Sequence, residues 1–93
     1  MEIIERQNLR CSILQELYDV YHKNKKGFLV IPTQGEPLND LEVFNAYKYL
    51  NDKKYISFQL QGRNAPGNKN YQVYILFQGI DVVESWEEGN KKL

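Results

Sequence analysis

Between residues 42 and 52 the chain sets Glu42, Asn45, Lys48, Tyr49 and Asp52 three or four positions apart along a row, with Lys53 just past them. In a helix that spacing gathers them on one side. The types are those that meet the edges and backbone of a duplex. An asparagine amide pairs with an adenine edge, a lysine serves guanine or phosphate, and a tyrosine reaches phosphate or a thymine methyl. Glu42 and Asp52 on the same side would repel phosphates. Further cations suited to gripping a backbone are Arg63 and Lys69 in the 62–70 stretch, Lys54 beside Lys53, and Lys23, Lys25 and Lys26 earlier in the chain. The residues predicted to contact DNA are therefore Asn45, Lys48, Tyr49, Lys53, Arg63 and Lys69.

Other chemistry finds little material. The chain has one histidine, His22, and one cysteine, Cys11, so neither a Cys/His metal set nor an internal disulfide can be assembled. There is no glycine-rich phosphate loop and no Ser/His/Asp order. The carboxylates cluster as Asp40/Glu42 and as Asp81/Glu84/Glu87/Glu88, positions that suit helix N-terminal charges and solvated faces. Catalysis is not expected, and no cofactor or metal is implied. The 93 residues carry twelve basic and twelve acidic side chains, so no global charge draws the chain to nucleic acid. Residues 1–80 hold ten basic and eight acidic groups, and 81–93 hold two and four, a mild segregation. A single domain over residues 1–93 is expected, burying roughly 60–65% of its unfolded surface. No apolar run approaches the ~20 residues of a membrane span, and the acidic start Met1-Glu2-Ile3-Ile4-Glu5 is unlike a signal peptide, so a cytoplasmic location is expected.

The elements that would position these residues follow from periodicity. Residues 3–24 read as a helix with Leu9, Ile13, Leu17 and Val20 as an apolar stripe, broadened by Leu14 and Tyr21. Basic residues and Gly27 end it. Cys11 reads as a small buried residue of this helix, and His22 as a solvated cation near its end. Residues 28–31 are a short buried strand closed by Pro32. Residues 33–37 are turn chemistry, leaving no room for a further helix before the next one. Asn39 reads as the N-cap of that central helix, with Glu42 reaching back as a capping box and Leu38 and Val43 as a hydrophobic staple. Val43, Ala46, Tyr47 and Leu50 are its inner stripe. Residues 56–61 alternate, with Ile56, Phe58 and Leu60 inward. Residues 71–77 do the same with Tyr71, Val73, Ile75 and Phe77. The loop 62–70 between them is too long for a two-residue turn; it stands at the wing position and reads equally as a plain solvated hairpin loop. A last helix is predicted over 80–88, with Val82 or Val83 and Trp86 inward. The predicted core is Leu17, Phe28, Leu50, Ile56, Phe58 and Ile75. The order defines an α+β winged helix: helix, short strand, helix, β-hairpin with a wing loop, and C-terminal helix.

Over roughly residues 9–88 this order resembles a family of small bacterial and prophage winged-helix proteins, mostly uncharacterised. In that family a helix ends in LxxxGLI and a return strand reads ITxxGxxFL. Here the first motif stands as Leu50-Asn51-Asp52-Lys53-Lys54-Tyr55-Ile56, the second as Ile75-Leu76-Phe77-Gln78-Gly79-Ile80-Asp81-Val82-Val83. Two departures have physical meaning. Lys54 stands at the family's left-handed glycine, at a cost of about 1 kcal/mol. Leu76 replaces a threonine and removes a possible cap for the last helix. The winged-helix reading, with the outer face of the central helix, leads to the expectation of a small DNA-binding transcriptional regulator. The alternative is a winged-helix adaptor that binds a protein partner through the Glu42/Asn45/Tyr49 side and no DNA. A homodimer is expected of a DNA reader, because one small module contacts too little DNA for high specificity; Trp86 on the last helix either meets a second copy or closes the domain's own core.

Overall fold

The computed structural model describes residues 1–61, 69–86 and 90–93. Three helices and three strands follow in the order α1 (Ile3–Lys23), β1 (Leu29–Pro32), α2 (Leu41–Asp52), β2 (Ile56–Gln61), β3 (Asn70–Ile75) and α3 (Phe77–Ser85). The strands form one antiparallel sheet with order β1-β3-β2. Its register pairs Leu29 with Val73, and Ile56 with Ile75. The architecture is α+β, as the periodicities require.

The core lies where the helices meet one face of the sheet. Leu14, Leu17, Leu50, Ile56 and Val73 are its fully buried side chains, and Cys11 and Ile75 are buried with them. Four of the six predicted core residues are thus buried. Phe58 is half-buried in an aromatic cluster that seats α2 on the sheet, stacked on Tyr71 at 4.1 Å and on Tyr47 at 5.3 Å between centroids. Phe28 is the correction. It precedes β1 on the opposite face, shared with Val30 and Gln72, and so is turned away from the core. Leu60, 53% exposed, also escapes burial.

Three predicted boundaries shift. The N-cap of α2 is Asp40, not Asn39: the Asp40 carboxylate accepts the Glu42 N–H at 2.9 Å. The cause is a turn over 35–40, where Asn39 N–H donates to Gly35 O and Asp40 N–H to Pro37 O, so the turn already holds Asn39. With the cap at 40, Glu42 no longer stands at the capping-box position, while Leu38 is buried in the core and Val43 packs against that core. The return strand stops at Ile75 and α3 begins at Phe77, three residues before the predicted start. Phe77 is 79% exposed and not on the inner face. Trp86 is the C-cap residue of α3, half-buried against the core, while Gly79 and Val83 are the buried residues of the helix. Tyr21, 45% exposed, leaves the inner stripe of α1.

The join between α2 and β2 is a Schellman turn. Tyr55 N–H donates to Leu50 O and Lys54 N–H to Asn51 O, both at 3.0 Å, with Lys54 at φ 64°. This is the left-handed position that the motif at 50–56 implies. The turn aims the Tyr55 carbonyl at the start of α3, where Leu76 N–H donates to it at 2.9 Å. Leu76 caps α3 without a side-chain acceptor, as its replacement of a threonine implies. Gly79 then packs on the Tyr55 peptide. A Cβ there would run into the Tyr55 carbonyl oxygen and come within 2.8 Å of Ile75 Cγ1.

Two substitutions test this join by chemical denaturation, each against the usual sign. Gly79→Ala, which would stabilise an ordinary helix by up to ~1 kcal/mol, is expected to destabilise by ~1–3 kcal/mol, because backbone must move to admit the methyl. Lys54→Gly is expected to stabilise by ~0.5–1 kcal/mol, the left-handed strain relieved less the glycine's extra unfolded entropy. A more stable Gly79→Ala protein would show that α3 does not rest on Tyr55.

Candidate nucleic-acid interface on the second helix

The apolar stripe of α2 faces the sheet, so its opposite side must face outward. Leu41, Asn45, Lys48 and Asp52 form the exposed stripe, and Lys53 and Lys54 continue it past the helix end. Asn45, Lys48 and Lys53 thus lie together and open to solvent. Tyr49 does not stand free among them. Its ring lies beneath the Arg10 guanidinium of α1, 4.1 Å from carbon to centroid, with Lys53 Nζ at 5.7 Å. Cation–π contact turns the phenol into a wall of the α1–α2 seam.

That seam is a groove of about 400 Å³ lined by Arg6, Leu9, Arg10, Glu42, Asn45 and Tyr49. Along it Arg6 grips Glu42 bidentately, Nε to Oε2 at 3.0 Å and Nη2 to Oε1 at 2.9 Å. The hydrogen bonds from Arg6, then its charge, hold the Glu42 carboxyl below the usual carboxylate range. Glu42, which the sequence sets up as a phosphate-repelling charge, is therefore already paired. Arg10 donates from Nη2 to the Leu93 carbonyl at 3.1 Å, while its buried Nε has no partner among the described residues. Arg6, Arg10 and Leu41 are the members that sequence reasoning missed. The two arginines sit one helical turn apart on α1, which is the only signal the sequence offers for them.

Lys69 is exposed next to β3, its carbonyl accepting from Thr33 N–H and Oγ1. It lies at the far end of the hairpin from Lys53, about 17 Å of strand away at ~3.3 Å per residue. The structure therefore does not bring Lys69 beside the helix cations. Arg63 and most of the predicted wing lie outside the described residues. Trp86 rests on the core, with Lys91 Nζ 5.9 Å from its ring. Among the described residues no three His, Cys, Asp or Glu side chains gather as a metal site, and no helix is long and apolar enough to cross a membrane. Comparison with known proteins returns no match: no family model fits the chain, and no curated protein and no solved structure is similar to it.

The seam pair is readable by NMR titration. Glu42 in the native protein is expected to titrate below the ordinary glutamate range and to return to it in Arg6→Ala. Because the folded value is depressed, the pair's contribution to stability is present above the ordinary glutamate pKa. It is lost as pH falls through the folded value. An unshifted Glu42 in the native protein would remove the pair from the site.

Proposed function

We propose that the protein is a winged-helix DNA-binding module, a small transcriptional regulator. It offers the outer stripe of α2 to the major groove and the β2–β3 hairpin to the backbone or minor groove. The order of helices and strands and the β1-β3-β2 sheet are compatible with that layout. The observation that carries the reading is the stripe itself. Asn45 and Lys48 stand exposed on one line with Lys53 and Lys54 beyond them; Glu42 is drawn off by Arg6, and Asp52 is the acid left on the stripe. In this reading Asn45 reads a base edge, Lys48 and Lys53 hold phosphate or guanine, and Tyr49 acts through Arg10. A homodimer, with the accessible part of Trp86 near its seam, would supply the second half-site.

The adaptor reading has a specific observation in its favour. Leu41, at the head of the same stripe, is 70% exposed, and Asp52 closes its foot. An apolar anchor beside mixed charge suits a protein surface better than a phosphate backbone.

Titration of a labelled random duplex at ~50 mM salt separates the two. The DNA reader is expected to bind below ~100 µM, the weak end of ordinary non-specific affinity. Lys48→Ala is expected to weaken binding equally on all sequences and to make the slope of log K against log salt shallower by about 0.9. Asn45→Ala should cost ~1–3 kcal/mol on the preferred site and nearly nothing on random DNA. No duplex binding up to ~100 µM would leave the adaptor reading.

A further inference from the structure

At the other end of α1, roughly 22 Å from Arg6 at 1.5 Å per residue, the sheet is left unfinished. Thr33 N–H donates to Lys69 O, and Leu76 N–H to Tyr55 O. Backbone groups alternate along a strand, so the odd residues of β3 point toward β1 and the even ones toward β2. Ile75 therefore directs its N–H and C=O to the β1 side. There β1 has already ended, since its first residue, Leu29, pairs with Val73. The chain turns away through Gly27, at φ 73°, whose N–H is bonded to Asn24 O instead. Neither Gly27 nor Phe28 hydrogen-bonds the Ile75 backbone.

Over this gap lies a groove of about 380 Å³, walled by Tyr21, Phe28, Tyr74 and Phe77, with Lys26 and Gln72 as polar members. Among the described residues no carboxylate lines it, and Lys23, at the end of α1, and Lys25 stand exposed beside Lys26. The groove's size, at the small end of ligand sites, suits one large side chain. An unpaired strand position, an apolar slot and a local cation together describe one kind of occupant.

We propose that this groove binds an extended, acidic peptide segment of a partner protein, which adds one residue to the sheet ladder at Ile75. The peptide seats an aromatic or large aliphatic side chain between Phe28, Tyr74 and Phe77, and presents a carboxylate to Lys26. This is strand addition, in which main-chain bonds give affinity and the slot gives specificity. The surface is separate from α2, so it stands whether or not the stripe reads DNA.

The test is selection of phage-displayed random decapeptides on the whole protein, with Phe77→Ala/Lys26→Glu as counter-target. Both positions are exposed, so the variant is expected to keep the native melting temperature. The expected result is an enriched motif with one large apolar residue flanked by Asp or Glu. The synthetic peptide should bind the variant at least about tenfold more weakly, and slow hydrogen exchange at the Ile75 amide. Methylating the peptide nitrogen that faces Ile75 should abolish binding. Failure to enrich a motif, a basic motif, or equal binding to the variant each overturns the proposal. So does self-association of the free protein lost in Phe77→Ala, which would make the occupant a second copy. Displacement of the peptide by an oligothymidylate would make it a single-stranded nucleic acid and overturns it as well.

Discussion

One peptide group, the carbonyl of Tyr55, is where the two halves of the fold are joined. It accepts the Leu76 N–H and receives the bare face of Gly79. For that carbonyl to be in place, α2 must end where it does and the chain must reverse in a single left-handed residue, which is Lys54. The reversal satisfies the last carbonyls of α2 and drops Tyr55 next to Leu50, so capping and core packing are made by the same three residues. Asn51 ties the turn to the sheet by accepting the Phe58 N–H through its side chain at 3.0 Å. That bond also occupies an outward-pointing donor of an edge strand, the kind of group that otherwise invites a foreign strand.

Charge is organised with the same economy. α1 and α2 touch along a seam in which Arg6 meets Glu42 and Arg10 meets Tyr49. Neither contact is deep in the core, and an exposed ion pair adds only ~0–1 kcal/mol to stability. Their effect is instead on the outer surface. Pairing Glu42 removes an acid from beside Asn45, and drawing Tyr49 under Arg10 removes an aromatic side chain from the exposed stripe. What α2 offers to solvent is thereby narrowed to Leu41, Asn45, Lys48 and Asp52. Farther along α1, Tyr18 donates to Glu84 of α3 at 2.8 Å, so the one long helix is pinned laterally at both ends of the core.

The sequence discloses what depends on neighbours three, four or two residues away, and hides what depends on distant ones. Helix α1, the inner stripe of α2 and the strand β2 are legible because periodicity reports a buried face directly. The left-handed Lys54 was legible through the motif at 50–56. The start of α3 was not. Residues 75–79, Ile-Leu-Phe-Gln-Gly, continue a strand by local pattern, and the ladder closes after Leu76 only because the distant Tyr55 gives its N–H to Leu50 O in the turn. The cap of α2 was misplaced for a related reason: Asn39 and Asp40 are both good caps, and the turn bond to Gly35 decides between them. At the candidate interface, Asn45, Lys48 and Lys53 were visible from helical spacing. Arg6 and Arg10 were not, because nothing local in α1 says which helix it will meet.

Zero net charge constrains how such a surface could act on DNA. Around the α2 stripe, Arg10, Lys48, Lys53 and Lys54 are opposed by Asp40 and Asp52, an excess of two positive charges, with Arg6 and Glu42 cancelling each other. Sequence-independent affinity scales with the phosphates neutralised, so a handful of cations supplies little of it. A reader built this way would draw most of its binding from base-edge contact at Asn45 and from duplication of the module. It would bind random DNA weakly and respond to salt with a shallow slope. A strongly basic reader has the opposite balance, holding any duplex tightly and discriminating by a small margin. The same neutrality leaves the lysines of the α1–β1 turn as a local patch at the far end of the molecule. There, next to an unfinished sheet edge, three cations suffice, because an acidic peptide brings its charges to one point and not along a phosphate backbone.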